Sequence, residues 1–157
     1  MDDPEGAGAL AAMKSAGLGP VVTRHGPVRS LAEAAAARGV PTSAVVKTLV
    51  VRRGEDDYLF VLVPGDRTIS WPKLRATVGV SRLSMPDAAT AQEVTGYERG
   101  TITPFGARVP WPVLADERVL GGAVSVGAGA HGVAATVDGD ALVAALRAQV
   151  ADLTEPA

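Results

Sequence analysis

The stretch from Ser43 to Val51 reads Ser-Ala-Val-Val-Lys-Thr-Leu-Val-Val. β-Branched residues dominate it and a turn-rich segment follows, which predicts a strand. Side chains alternate along a strand. Lys47 therefore shares a face with Val45, Leu49 and Val51, while Val46, Thr48 and Val50 take the other. Both faces are mostly apolar, so whichever packs inward, an ammonium group is expected among hydrocarbon. Lysine is almost never fully buried without a partner, and an unpaired charge there is costly. Either something anionic meets it, a carboxylate or a ligand, or the strand is an edge strand with the lysine stem packed and its head in water. Three lysines stand against twelve arginines, so basic charge is carried almost wholly by arginine.

At 157 residues the chain fits one domain, 1–157, long enough for a proper core. Hydrophobic residues make up 47% and charged residues 20%, which fits a globular chain and not a disordered one. The absence of cysteine excludes disulfides, thiolate metal sites and cysteine nucleophiles together, and suits a cytoplasmic location. The start, Met-Asp-Asp-Pro-Glu, lacks the basic and apolar regions of a signal peptide. No segment has the ~18 apolar residues of a membrane span, so no membrane partner is expected. A net charge of −2 argues against binding nucleic acid by bulk charge and leaves room for a local arginine patch.

Residues 1–6 are expected as a loose tail. Ala7–Ala16 reads as a helix stopped by Gly17 and Gly19, and Val21–Thr23 as a short strand. Ser30 and Glu33 fit a capping box opening a helix that stops at Gly39. The Lys47 strand, the polar turn 52–57 and the apolar run Tyr58–Val63 predict a β-hairpin whose return strand is central. Ser70 is the expected cap of a short helix, Val80–Leu83 a weak strand, and Asp87 the cap of Ala88–Val94. Residues 97–110 hold two Gly and two Pro with no period, and read as a loop. Strands follow at Val113–Ala115, Gly122–Val126 and Val133–Val137. A last helix is expected from Asp140 to Leu153 on the stripe Leu142, Leu146, Val150 and Leu153. Hairpins mixed with helix-separated strands predict an α/β (α+β) mixed sheet with helices packed outside.

Gly127-x-Gly129-x-x-Gly132 matches the dinucleotide fingerprint in form only, because a strand and not a helix follows it. No Gly-x-Ser-x-Gly or Walker pattern occurs. His25 and His131 lie far apart with no zinc-type spacing, so no metal and no cofactor is expected. Trp71 and Trp111, beside prolines, read as packing residues. What remains is a lysine on an apolar strand, a Gly/Pro loop at 100–106 and a glycine turn at 127–132. Together they suggest a pocket for a polar or anionic small group.

His25-Gly-Pro, the capped helix Ser30–Gly39, Val45-Val46-Lys47-Thr48-Leu49-Val50, Gly100-Thr-Ile-Thr-Pro104-Phe-Gly106, the late glycine turn and a final helix together resemble the YbaK / prolyl-tRNA-synthetase-associated editing domain family. The resemblance runs from about residue 20 to 150. It implies a mixed, partly barrel-like sheet surrounded by helices, and hydrolysis of the ester joining a wrong amino acid to tRNA. Family members occur free-standing or inserted in prolyl-tRNA synthetase, and a chain this short suggests action in trans. By position, Lys47 matches the family lysine, expected to hold the tRNA 3′ end. Gly100, Thr101 and Pro104 match the catalytic loop, whose amides would bind the ester carbonyl as charge develops on it. Phe105, Gly106, Gly127, Ala128, Gly129, His131 and His25 match substrate-binding positions.

Such an ester is already activated, so water or the tRNA 2′-hydroxyl can attack without a protein nucleophile. The late turn departs from the Ser-Gly-Gly of the cysteine-specific branch, so tRNA-Pro carrying either Cys or Ala is the expected substrate. The implied partners are the tRNA acceptor end and prolyl-tRNA synthetase. Two other readings stand beside this one: a non-catalytic module of the same fold that binds tRNA or the aminoacyl group, and a structural subunit that dimerises through the hairpin edge.

Overall fold

The computed structural model describes residues 6–157, so residues 1–5 of the expected tail lie outside the described residues. Gly6, counted with that tail, is buried. Its φ is +77°, and a side-chain carbon there would overlap the Ala128 carbonyl, which is why glycine fits this approach. Helix α1 (Ala7–Ser15) follows and buries Ala9, Leu10 and Met13. Strand β1 (Val21–Arg24) leads to helix α2 (Leu31–Arg38). There the Ser30 side chain accepts from the Glu33 amide, and Gly39 closes the helix at φ +70°.

Strands β2 (Val45–Gly54) and β3 (Asp57–Pro64) form the expected hairpin. Its turn is tighter than the polar run 52–57 suggests: Arg52 and Arg53 belong to β2, and Asp56 takes φ +53°. β3 is buried from Tyr58 to Pro64, the environment of a central strand with apolar residues on both faces. A short strand β4 (Arg67–Ile69) precedes helix α3 (Trp71–Val78). Ser70 opens α3 without a side-chain cap bond; its main chain is engaged instead, the carbonyl accepting from Leu74 N and the amide donating to the Leu153 carbonyl, both at 2.9 Å. The segment Val80–Leu83 does not form a strand. The residue after it, Ser84, makes an isolated antiparallel bridge to Arg52. Helix α4 (Ala88–Thr95) is capped by Asp87, which accepts from the Thr90 amide at 2.8 Å.

After the loop come β5 (Val113–Asp116), β6 (Ala123–Gly127), β7 (Val133–Asp138) and helix α5 (Gly139–Leu146). The helix expected to reach Leu153 stops seven residues early. Arg147 turns left-handed at φ +51°, and the chain becomes β8 (Gln149–Ala151) and β9 (Thr154–Pro156). Strand pairing overrides the helical period here. β8 extends the sheet along β5, and β9 pairs with β4. The buried Asp116 carboxylate accepts from Leu153 N and Thr154 Oγ1, both at 3.0 Å.

The main sheet runs β1-β7-β6-β2-β3-β5-β8, mixed in direction, with β4 and β9 as a separate pair. On one face α1, α4 and α5 pack over Val46, Val50, Phe60 and Leu62. On the other, Leu74 of α3, Ile69 and Leu153 cover Val51, Leu59, Val61 and Val63. This is the α/β mixed-sheet class that the pattern of hairpins and helices predicts. The two tryptophans are packing residues: Trp71 lies against the second core, and Trp111 meets the Tyr58 ring edge-on at 5.2 Å and donates to the Val94 carbonyl.

Asp152 ties the C-terminal segment down through Lys73 and Arg118, each at 2.9 Å. These two hydrogen bonds, Lys73 first, pull its carboxyl to about 2. In the unfolded chain it titrates near ~3.9. Stability from this group is therefore complete above about pH 4 and lost as pH falls through about 2. In thermal melts across this range, Asp152→Asn is expected to be slightly less stable than the parent near neutrality, with the difference closing between about pH 4 and pH 2.

Candidate functional site

β6 runs parallel to β2 for two residues only, Val45 opposite Ser125 and Val46 opposite Val126. At the far end of β2, the Arg52 amide and carbonyl bond to Ser84 at 2.7 and 3.1 Å. Between these points the edge of β2 is open. Main-chain groups of alternate residues face the same edge, so the N–H and C=O of Thr48 and Val50 point the way Arg52's do, into the opening.

A cavity of about 510 Å³ fills this fork. β2 forms one wall from Val45 to Val50. Met85, Pro86 and the first turns of α4 form another, and Arg99–Ile102 and Gly127 close it, with Arg38 at the end of α2. Among the described residues, three cations, Arg38, Lys47 and Arg99, border the cavity and no carboxylate does. No Ser, Cys or His lines it either, and Thr48 carries the one hydroxyl in its wall. Among the described residues no cluster of His, Cys, Asp and Glu could hold a metal ion.

The 98–102 loop is held from both sides. Thr101 is buried; its amide and hydroxyl donate to the Glu98 carbonyl at 3.0 and 2.7 Å. The Thr101 carbonyl accepts from Gly129 N at 3.0 Å, which fastens the loop to the glycine turn. Glu98 also meets His131, Oε2 to Nε2 at 2.9 Å, across the exposed rim. Gly100 takes φ +90°, open to glycine at little cost. The amides of Gly100 and Ile102, on either side of the engaged Thr101 amide, have no partner among the described residues.

Of the residues singled out in the sequence, Lys47, Gly100 and Gly127 border the cavity. Thr101 and Gly129 form the tie behind it. Ala128 and Phe105 are core residues, the latter held by Tyr97 Oη donating to its carbonyl at 2.6 Å. Pro104 and Gly106 lie outside the wall, Gly106 beneath the Tyr97 hydroxyl. His131 sits on the rim. His25 also lies outside the wall: its amide donates to Gly132 O at 2.9 Å, and its Nε2 is buried with no partner among the described residues.

Lys47 is not among hydrocarbon. It is exposed, although β2 is an interior strand, and Nζ donates to the Arg67 carbonyl at 3.3 Å. On its strand face Val45 and Val51 are buried and Leu49 is half-buried, so the apolar character holds on either side of the lysine and not at it. The glycine turn is a β6–β7 hairpin, antiparallel through Gly127 and Ala134, so no helix N-terminus faces it. Sequence reasoning missed Arg38 and Arg99. Arg38 carried a weak signal, as the last residue of a well-capped helix, but nothing local aims it at residues sixty positions on.

Two glycines separate fold from site. A side-chain carbon on Gly132 (φ +74°) would overlap the His25 carbonyl, whereas one on Gly127 would meet Ile102 O at an ordinary 3.6 Å. Gly132→Ala is expected to lower stability by more than about 1 kcal/mol, while Gly127→Ala leaves the melting temperature nearly unchanged; thermal denaturation of the two variants checks this.

The model of the family described as "Aminoacyl-tRNA editing domain" matches residues 25–145. "Proline--tRNA ligase" of Thermosipho africanus (strain TCF52B) is 38% identical over 80 residues, which are 51% of this chain and 14% of the ligase. This chain thus spans only a small part of the ligases it resembles. "Putative Cys-tRNA(Pro)/Cys-tRNA(Cys) deacylase EbsC" of Enterococcus faecalis (strain ATCC 700802 / V583) is 26% identical over 117 residues, 74% of this chain and 71% of that one. Among solved structures, "Crystal structure of a putative trans-editing enzyme for prolyl tRNA synthetase" superposes with a TM-score of 0.88 at 29% identity, covering 99% of each chain. With most of its length matched by the family model and its fold shared with such a structure, the chain belongs to the aminoacyl-tRNA editing domain family.

Proposed function

We propose that this protein is a free-standing deacylase that hydrolyses the ester of a mischarged tRNA, tRNA-Pro carrying Cys or Ala, and so clears errors of prolyl-tRNA synthetase in trans. The observation that carries the reading is the cavity at the β2 fork. Gly100 and Ile102, whose amides have no partner among the described residues, line it beside three cations, and among the described residues no side chain of the usual nucleophiles does.

That combination suits a substrate that needs positioning more than activation. An aminoacyl ester is reactive enough for water, or the neighbouring 2′-hydroxyl of the terminal ribose, to attack once held in line. Attack places negative charge on the ester oxygen, and the Gly100 and Ile102 amides would stabilise it. The Thr101 ties to Glu98 and Gly129 would hold those donors in place, so that they need not reorganise as charge develops. Lys47 is exposed and held by one long bond to a neutral carbonyl. Its ammonium is free to swing to a ribose or phosphate oxygen when the RNA end arrives. The relative EbsC carries Cys-tRNA(Pro) and Cys-tRNA(Cys) in its name, which supports cysteine as one substrate. The glycine turn, lacking a serine at Gly127, keeps alanine as the other.

Purified protein incubated with Cys-, Ala- and Pro-tRNA(Pro) is expected to clear at least one mischarged species over several turnovers and to spare Pro-tRNA(Pro). Lys47→Ala is expected to slow that clearance by about 10- to 100-fold with unchanged circular dichroism. Binding of the mischarged tRNAs without turnover would make the protein a recognition module instead, and full activity in Lys47→Ala would remove the lysine from the site.

A further inference from the structure

Arg38 is the last residue of α2. A cation there is favoured by the helix dipole, but the helix gives its guanidinium no acceptor. Nε is shielded from solvent and has no hydrogen-bond partner among the described residues, and no carboxylate pairs with the side chain. Burial holds its pKa below the ordinary arginine value. A charged donor left in this condition is unfavourable unless something anionic meets it. Arg38 borders the cavity, and so does Arg99, from the loop beyond α4. Arg99 is exposed and likewise has no ion pair among the described residues. In a chain of net charge −2, this is a local excess of positive charge with no acid in the same wall.

The chemistry of an aminoacylated RNA end narrows what the two arginines would take. The amino acid of such an ester has no free carboxylate, and its α-ammonium is repelled by guanidinium. The anion of that substrate is the phosphodiester of the RNA backbone, whose non-bridging oxygens match the planar donor fork of arginine. Lys47 already spends a hydrogen bond on the Arg67 carbonyl, whereas Arg38 Nε spends none.

We propose that Arg38, assisted by Arg99, forms a phosphate seat that binds the last phosphodiester of an RNA 3′ end at the mouth of the β2 cavity. This rests on the editing reading for the identity of its ligand. The seat fixes how far the RNA end enters, and so sets the terminal ribose and its ester beside Gly100 and Ile102. Arg38 supplies most of the binding because it is half-buried with its Nε already shielded from solvent, and Arg99 less because it is exposed.

The test is fluorescence anisotropy with an uncharged RNA minihelix ending in CCA, titrated at several salt concentrations. Arg38→Gln is expected to weaken binding by about tenfold and to flatten the salt slope by ~0.7, one phosphate contact on a single strand. Arg99→Gln should lose less, and Arg38→Lys should recover part of the loss. A minihelix with a neutral methylphosphonate at the last linkage should bind the parent protein about tenfold more weakly and Arg38→Gln no more weakly than the ordinary RNA does. Equal binding of the two minihelices by the parent protein overturns the seat, even where Arg38→Gln fails to fold. Inorganic phosphate bound in an Arg38-dependent way, with no preference for the RNA, would assign the seat to a free phosphate and overturn the RNA-end proposal. Arg38-dependent binding without deacylation would sink the editing reading and keep the seat, and unchanged KM and kcat in Arg38→Gln would do the reverse.

Discussion

The site depends on a pairing that stops early. β2 is hydrogen-bonded to β3 along its whole length but to β6 at only two residues. An open stretch of strand edge ordinarily invites another strand. Here the edge is covered by α4 and the 99–102 loop, which stand off from it and leave a cavity. The fork at Val46 therefore sets the cavity's place, and the Arg52–Ser84 bridge closes its far end. Rigid strands supply the floor while loops supply the lining, a division suited to a site that must hold its geometry and admit a ligand.

The loop wall is built from main-chain bonds. Thr101 is the joint, with its hydroxyl and amide turned back to Glu98 and its carbonyl taken by Gly129. This arrangement uses up the Thr101 amide and leaves its two neighbours unspent. The His131–Glu98 contact crosses the same joint at the surface, where solvent screens it and its contribution is small. Glycine at 100 lets the chain take φ +90° and keeps side chains out of the approach.

Charge is distributed by the same logic. Most carboxylates with clear partners serve the fold: Asp87 and Asp138 cap helices, and Asp116 and Asp152 secure the C-terminal segment that the helical period misassigned. Among the described residues, every charged side chain at the cavity border is a cation. A chain that is slightly acidic overall can thus present a basic opening, and the average charge says little about what that opening attracts.

Local residue patterns determined much of this protein: the capped helix at Ser30–Gly39, the hairpin around Lys47, the buried return strand, the irregular loop at 97–110 and the glycine hairpin at 127–132. Each depends on period, capping or turn chemistry within a few residues, so each was legible in order along the chain. The family was legible too, through the resemblance carried by the lysine strand and the Gly100–Gly106 loop, and the family model matches residues 25–145. Tertiary structure alone decided the rest. Pairing with β5 turned residues 149–151 from helix to strand, and the Asp116 carboxylate holds the chain just beyond them, since bonds to a distant edge outweigh a local stripe. Where β6 leaves β2 decided that Thr48 and Val50 present their main chain to a cavity. Which cations gather there follows from packing between segments far apart in sequence: Arg38 ends one helix and Arg99 follows another, and no spacing rule connects residues that meet only when the sheet between them forks.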